Sequence, residues 1–151
     1  MKYSEKIRNA RLNVVTDTIG PAAILRIYSG PVPSSCDAAN PSGLLVEIEL
    51  PHRPFNLADG AKLMISEPWS GWAHADGIAK SFRLSDYMGA PHVQGTISKT
   101  GGGGDMELDI IDIHAGQKVV IGAMTLVEFG DVDDEEARSE MRRVKRALEE
   151  A

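Results

Sequence analysis

Apolar side chains recur at helical spacing in the first segment of the chain, residues 3–16. The recurring positions are Tyr3, Ile7, Ala10, Val14 and Val15. This pattern predicts one amphipathic helix of three to four turns. Ser4 is a suitable N-cap residue, and the helix is expected to stop within residues 17–20, which end in a glycine.

The following segments show the shorter period of β-strands. In residues 44–50, apolar Leu44, Val46, Ile48 and Leu50 alternate with Glu47 and Glu49, which is typical of a half-buried strand. The other strand candidates are the short apolar piece 61–66 and residues 22–28, 78–84, 93–98, 106–110 and 118–129. No helical pattern separates these roughly seven strands, so we expect an antiparallel β-sandwich or jelly roll.

The last segment, residues 131–151, changes character. Acidic residues dominate its start and basic residues follow, which suits a helix dipole. Apolar Ala137, Met141, Val144 and Leu148 follow at intervals of 4, 3 and 4 residues. We therefore predict a C-terminal amphipathic helix that docks on its own body or on another subunit, and we divide the chain into a β domain (1–130) and this helix (131–151).

Composition restricts the function classes. The chain has 151 residues, the size of one domain, and its 15 glycines and eight prolines indicate many turns. A net charge of −6 disfavours direct binding to nucleic acid. Cys36 is the single cysteine, so no intrachain disulfide forms. No apolar run approaches the ~18 residues of a membrane span, and the charged N-terminus does not resemble a secretory signal, so we expect cytosolic synthesis and no membrane partner.

Candidate catalytic features are weak. The four glycines at 101–104 precede a strand and an aspartate, which favours a hairpin loop over a phosphate cradle. His52, His74, His92 and His114 fit no metal-ligand spacing, although His114 could pair with Asp112 or help to coordinate an ion. Cys36 has no neighbouring base. We expect no catalytic, cofactor or metal site, and a protein that is not an enzyme.

Trp69 and Trp72 are the most informative aromatic residues. Two tryptophans in a turn-rich segment can form a sugar or peptide platform, or they can plug the core over one sheet. The candidate interface residues are the apolar positions of both helices together with this pair: Tyr3, Ile7, Trp69, Trp72, Ala137, Met141, Val144 and Leu148.

The order of these patterns along the chain also resembles that of a known class of proteins. It rests on residues 8–13, 23–33, 43–50, 79–83, 95–98, 104–109 and 113–117, with Phe55 and Gly60. Across roughly residues 6–128 the chain resembles small virion proteins encoded in the head module of tailed bacteriophages and prophages. Helix 131–151 departs from that pattern.

The resemblance implies a capsid decoration or cement protein, with no catalytic residue. Such a protein would lie on the capsid surface after synthesis in the host cytoplasm, and it would bind the major capsid protein and neighbouring copies as a dimer or trimer. A tail or neck component is the nearest alternative. A small carbohydrate- or ligand-binding β module that uses Trp69 and Trp72 is an alternative of another class.

Overall fold

The computed structural model describes residues 1–127. Helix α1 spans Glu5–Ile19, and Ser4 caps it by accepting a hydrogen bond from the Ile7 N–H at 3.2 Å. At the other end Gly20 adopts φ 75° and its N–H binds the Thr16 carbonyl. The predicted helix, its cap and its stop are confirmed, because a left-handed residue after the last turn is easiest for glycine.

Eleven strands follow α1 in the described residues. They are β1 (Ile24–Tyr28), β2 (Leu44–Glu49), β3 (Lys62–Met64), β4 (Trp69–Trp72), β5 (Gly77–Ile78), β6 (Ser81–Ser85), β7 (Pro91–Lys99), β8 (Met106–Leu108), β9 (Asp112–Ile113), β10 (Lys118–Ile121) and β11 (Thr125–Val127). Five of them form the main sheet in the order β2-β1-β6-β7-β8. The others form the two-stranded ladders β4–β10, β3–β11 and β5–β9.

The register of the main sheet sends alternate residues into one core. Leu25 of β1 lies between Ile48 of β2 and Leu84 of β6, and all three are buried. From Val46 to Glu49 the period-2 pattern that predicted β2 is the pattern of its burial, with Glu47 and Glu49 exposed. At the start of the strand, where the register with β1 shifts, Leu45 is buried and Leu44 is half-buried. Burial of this apolar row is the main source of the sheet's stability.

β3 and β4 pair with β11 and β10 to make one long two-stranded unit, here called the ribbon. The Ile65 N–H binds the Met124 carbonyl at 3.2 Å and joins its two ladders. The ribbon meets β2 through the bridge between Val46 and Ala73, which curls the sheet. Gly71 permits this close approach, since a Cβ there would lie 2.7 Å from Cγ1 of Ile48.

The four-glycine segment closes a parallel pair, so the hairpin predicted there is wrong. Residues 97–99 of β7 pair in parallel with residues 106–108 of β8 across a connection of only residues 100–105. Parallel strands usually need a crossover of a dozen or more residues. Gly101 and Gly103 make this short return possible at φ 87° and 82°, and both of their N–H groups donate to the Glu107 carboxylate.

A long loop, residues 31–41, packs on the face of the sheet opposite the core, and a buried arginine holds it. Arg83 of β6 is 1% exposed. Its guanidinium donates to the Ser35 and Ala38 carbonyls at 3.1 and 3.0 Å and to Asn40 Oδ1 at 3.0 Å, while Nε donates to Gln94 Oε1 at 3.2 Å. No carboxylate among residues 1–127 forms an ion pair with it. The loop carbonyls therefore solvate this charge.

The mainly β class with an N-terminal helix is confirmed. The described strands form a curled, mixed antiparallel and parallel sheet, so the all-antiparallel expectation is wrong at β7–β8. The long strand predicted over 118–129 is interrupted at residues 122–124 into β10 and β11. The predicted helix 131–151, and with it the second predicted domain, lies outside the described residues.

Candidate interaction surface

The outer side of the ribbon carries exposed apolar residues on both of its ladders. Trp72 is 65% exposed and Val120 is 48% exposed, and Met64 and Val127 are also exposed. Alternation explains this, because Leu63, Trp69, Val119 and Ile121 point from the same strands into the core. We call the outer residues Met64, Trp72, Val120 and Val127 the ribbon face.

A lysine borders the most exposed aromatic residue of the ribbon face. Lys118 lies opposite Trp72 in the β4–β10 register, and its Nζ is 6.0 Å from the centre of the indole ring. At this distance the ammonium is attracted to the ring face. The contact orients the indole across the strand and leaves most of its surface open to a partner.

The two tryptophans do not form one platform. Trp69 is 1% exposed and packs edge-on against Phe55, with ring centres 5.4 Å apart. Positions three apart in a strand point to opposite faces, so Trp69 enters the core and Trp72 faces solvent. The prediction that Trp69 is an interface residue is therefore wrong, and the alternative that it fills the core is correct. Trp72 remains a candidate interface residue.

Of the two N-terminal candidates, Ile7 lies on the outer side of α1 and Tyr3 lies just before the Ser4 cap. Ile7 is 47% exposed, and Tyr3 is half-buried beneath the Arg11 guanidinium, whose carbon is 4.9 Å from the ring centre. The remaining candidates, Ala137, Met141, Val144 and Leu148, lie outside the described residues.

The histidines occupy separate surface positions. Within residues 1–127 no group of three or more His, Cys, Asp or Glu side chains is arranged to hold a metal ion. His114 lies 3.8 Å from Asp112, with both side chains exposed. Sequence reasoning missed a tighter pair, in which His92 Nε2 lies 2.9 Å from Asp86 Oδ2.

The carboxylate of that pair organises an exposed turn. Asp86 accepts the His92 hydrogen bond and the backbone N–H groups of Ala90 and Met88. These bonds favour the ionised carboxylate and lower the pKa of Asp86, with the His92 bond as the largest cause. An Asp followed by a glycine three residues on is the sequence signal for such a turn.

An open groove of about 880 Å³ runs between the C-terminal half of α1 and the segment 52–66. Asp17, His52 and Arg53 border it, and the buried ring of Phe55 also lines it. A small-ligand module would need such a concavity with a few polar groups. If the protein were a ligand-binding module, the ligand would therefore bind in this groove and not at the tryptophan pair.

Comparison with protein-family models, with curated proteins and with solved structures found no match to this chain. Within the described part of the chain, no helix is long and apolar enough to span a membrane.

Proposed function

We propose that this protein is a structural component of a tailed-phage virion that decorates and cements the capsid. It binds the major capsid protein and neighbouring copies of itself through non-covalent contacts, with no cofactor and no direct contact with nucleic acid. The single observation that supports this proposal is the ribbon face, in which Trp72 and Val120 are exposed on a β-rich body. The resemblance described above supplies the capsid as the partner.

The chemistry of the ribbon face suits a protein partner. Trp and Met are enriched at the centres of protein interfaces, and a tryptophan anchor often supplies much of the binding energy. Lys118 adds a cation beside the anchor that an acidic rim of a partner would meet. A symmetric shell repeats the partner site many times, so modest contacts are multiplied when the bound copies also touch each other.

The body proposed here is a small sandwich. In it the main sheet would form one layer and the ribbon the other. The buried residues Leu25, Ile48, Leu63 and Ile121, from the main sheet and the ribbon, support this because they belong to one core cluster. A C-terminal helix over 131–151 is appended to that body. Copies would assemble as a dimer or trimer, which is the usual symmetry of such contacts.

A shell-binding experiment tests this function. Shells assembled from the head-module major capsid protein without this chain are mixed with the purified protein and pelleted. We expect saturable co-sedimentation, and a loss of affinity of roughly 10-fold or more for Trp72→Ala, which corresponds to about 1.4 kcal/mol or more at a binding hot spot. Tyr87→Ala is the matched control, since this aromatic residue is exposed but lies outside the ribbon.

Two results would overturn the proposal. One is the absence of binding to the shells by the wild-type protein, and binding to tails or necks instead would favour the alternative placement. The other is equal binding by Trp72→Ala and wild type, which would remove the ribbon face as the contact. Saturable binding of a glycan at the groove, abolished by Arg53→Ala, would favour the ligand-binding alternative.

A further inference from the structure

Helix α1 has two apolar sides, and only one of them packs on the described body. Leu12 and Ile19 are buried in the core cluster. Ile7 and Val14 are 47% and 56% exposed and lie almost opposite that buried side on the helical wheel. A helix in a body of this size normally buries one apolar stripe and keeps the other side polar. The outer stripe of α1 therefore needs a partner.

The outer stripe has the spacing of a helix–helix seam. Tyr3, Ile7, Ala10 and Val14 follow one another at intervals of 4, 3 and 4 residues, and so do Ala137, Met141, Val144 and Leu148 at the end of the chain. Alternating steps of 3 and 4 are the pattern that packs two helices along a common line. The part of the first stripe that lies within α1, from Ile7 to Val14, is about 10 Å long. The C-terminal stripe would be about 16 Å long as a helix, which is long enough to cover it.

The described chain ends close to α1. Val127 is the register partner of Lys62 in β3. Ala61, which comes directly before Lys62 in the chain, donates its N–H to Asn9 Oδ1 of α1 at 2.8 Å. Residues 128–136 separate Val127 from the second stripe, and a connection of this length can reach about 30 Å. Ala137 can therefore be placed at either end of the α1 stripe.

The charges of the two segments are complementary. Residues 2–11 contain four basic side chains and one acidic side chain, a net charge of +3. Residues 131–151 contain five basic and eight acidic side chains, a net charge of −3. Opposite net charges favour the approach of the two segments and help to select this partner over others.

We propose that the outer stripe of α1 is the docking site of the chain's own C-terminal stripe, Ala137, Met141, Val144 and Leu148. This pairing would cover Ile7 and Val14 and fasten both ends of the chain together on one side of the body. This proposal rests on the exposed side of α1 and does not depend on the ribbon face or on the proposed capsid role.

Disulfide trapping in the full chain tests the pairing. In a Cys36→Ser background, Ile7→Cys is combined with Val144→Cys for an antiparallel pairing or with Met141→Cys for a parallel one. We expect one of these two pairs to form an intramolecular disulfide on oxidation, seen as a mobility shift on a non-reducing gel. The matched control is Val120→Cys with Val144→Cys, since Val120 is as exposed as Ile7 but lies on the ribbon.

Three results would overturn the proposal. They are the absence of a disulfide from both Ile7 pairs, efficient closure of the Val120 pair, and formation of covalent dimers through Ile7, which would mean that a second copy supplies the occupant.

A thermal measurement tests the pairing independently. Ile7→Asp and Val144→Asp should each lower Tm, and the double variant should lower it no further than the larger single effect, because both changes break one contact. Additive shifts would contradict the pairing.

Discussion

Replacing Arg83 with methionine should release the loop of residues 31–41 without removing the core. The methionine keeps most of the aliphatic length of the side chain but cannot donate hydrogen bonds. Three of the four bonds made by Arg83 go to loop atoms, at Ser35, Ala38 and Asn40. Their loss leaves the loop without its strongest attachment to the sheet.

The magnitude follows from those three bonds. Each is worth about 1 kcal/mol net, because water replaces the guanidinium when the loop opens. Their sum of about 3 kcal/mol is an upper value, since the base of the loop stays closed by the hydrogen bonds from Ser29 to Gly43 and from Gly30 to Ser42. We therefore expect the opening equilibrium to rise by between about 10-fold and about 100-fold, at 1.4 kcal/mol per tenfold change.

Cys36 is a natural reporter for this opening. It is the single cysteine of the chain, it lies in the loop next to Ser35, and it is partly buried. The rate of thiol modification by an aromatic disulfide reagent should rise in Arg83→Met by the factor given above, because the reaction follows the open population.

Arg26→Met is the matched control for that measurement. Arg26 is directly opposite Arg83 on the same face of the sheet but binds Glu47 at 3.0 Å. Its loss should leave the labelling rate of Cys36 within about 2-fold of wild type, because an exposed pair of this kind contributes little. Equal labelling rates for folded Arg83→Met and wild type would refute the argument that Arg83 holds the loop.

Other predictions concern the core, the glycine connection and pH. Trp69→Ala should lower the free energy of unfolding by about 3–5 kcal/mol in urea titrations, whereas Trp72→Ala should cost less than about 1 kcal/mol, because only Trp69 is enclosed by the core. Gly104→Ala should lower Tm more than Gly122→Ala, since a Cβ at Gly104 would lie 2.8 Å from a backbone nitrogen and one at Gly122 would meet no atom within 4 Å. The pKa of Asp86 lies below its ordinary value of 3.8, so the stability advantage of wild type over Asp86→Asn should be full at higher pH and disappear as pH falls below about 3.8, measured as Tm against pH. An advantage that grew with acidification would contradict that sign.

The periodic parts of the fold could be read from the chain alone. Ser4 and Gly20 bracket α1 because capping and left-handed conformations are local preferences of single residues. Residues 44–49 form a half-buried strand because alternation is itself the consequence of one buried face. The same reasoning failed for the central strand β6. Its Ser81, Arg83 and Ser85 are all buried, Arg83 beneath the loop, so the strand has no exposed polar face.

The candidate surface could be predicted only in part. The sequence singled out Trp69 and Trp72 but did not show that they belong to one strand, and the strand assignment is what separates them to opposite faces. It also provided no signal for the neighbours of Trp72, because Lys118 and Val120 come from a strand 46 or more residues later in the chain. Pairing across that separation depends on the whole sheet.

The sequence by itself determined the helix, the strand-rich body, the turns and the two equally spaced apolar stripes at the ends of the chain. These features rest on the periodicity and conformational preference of neighbouring residues. The tertiary structure alone decided that residues 101–104 connect two parallel strands, that Arg83 holds a loop, and that Trp72 is exposed to solvent while Trp69 is buried. The surroundings of Arg83, Trp69 and Trp72 depend on which distant segment supplies the facing atoms, and local preference does not contain that information.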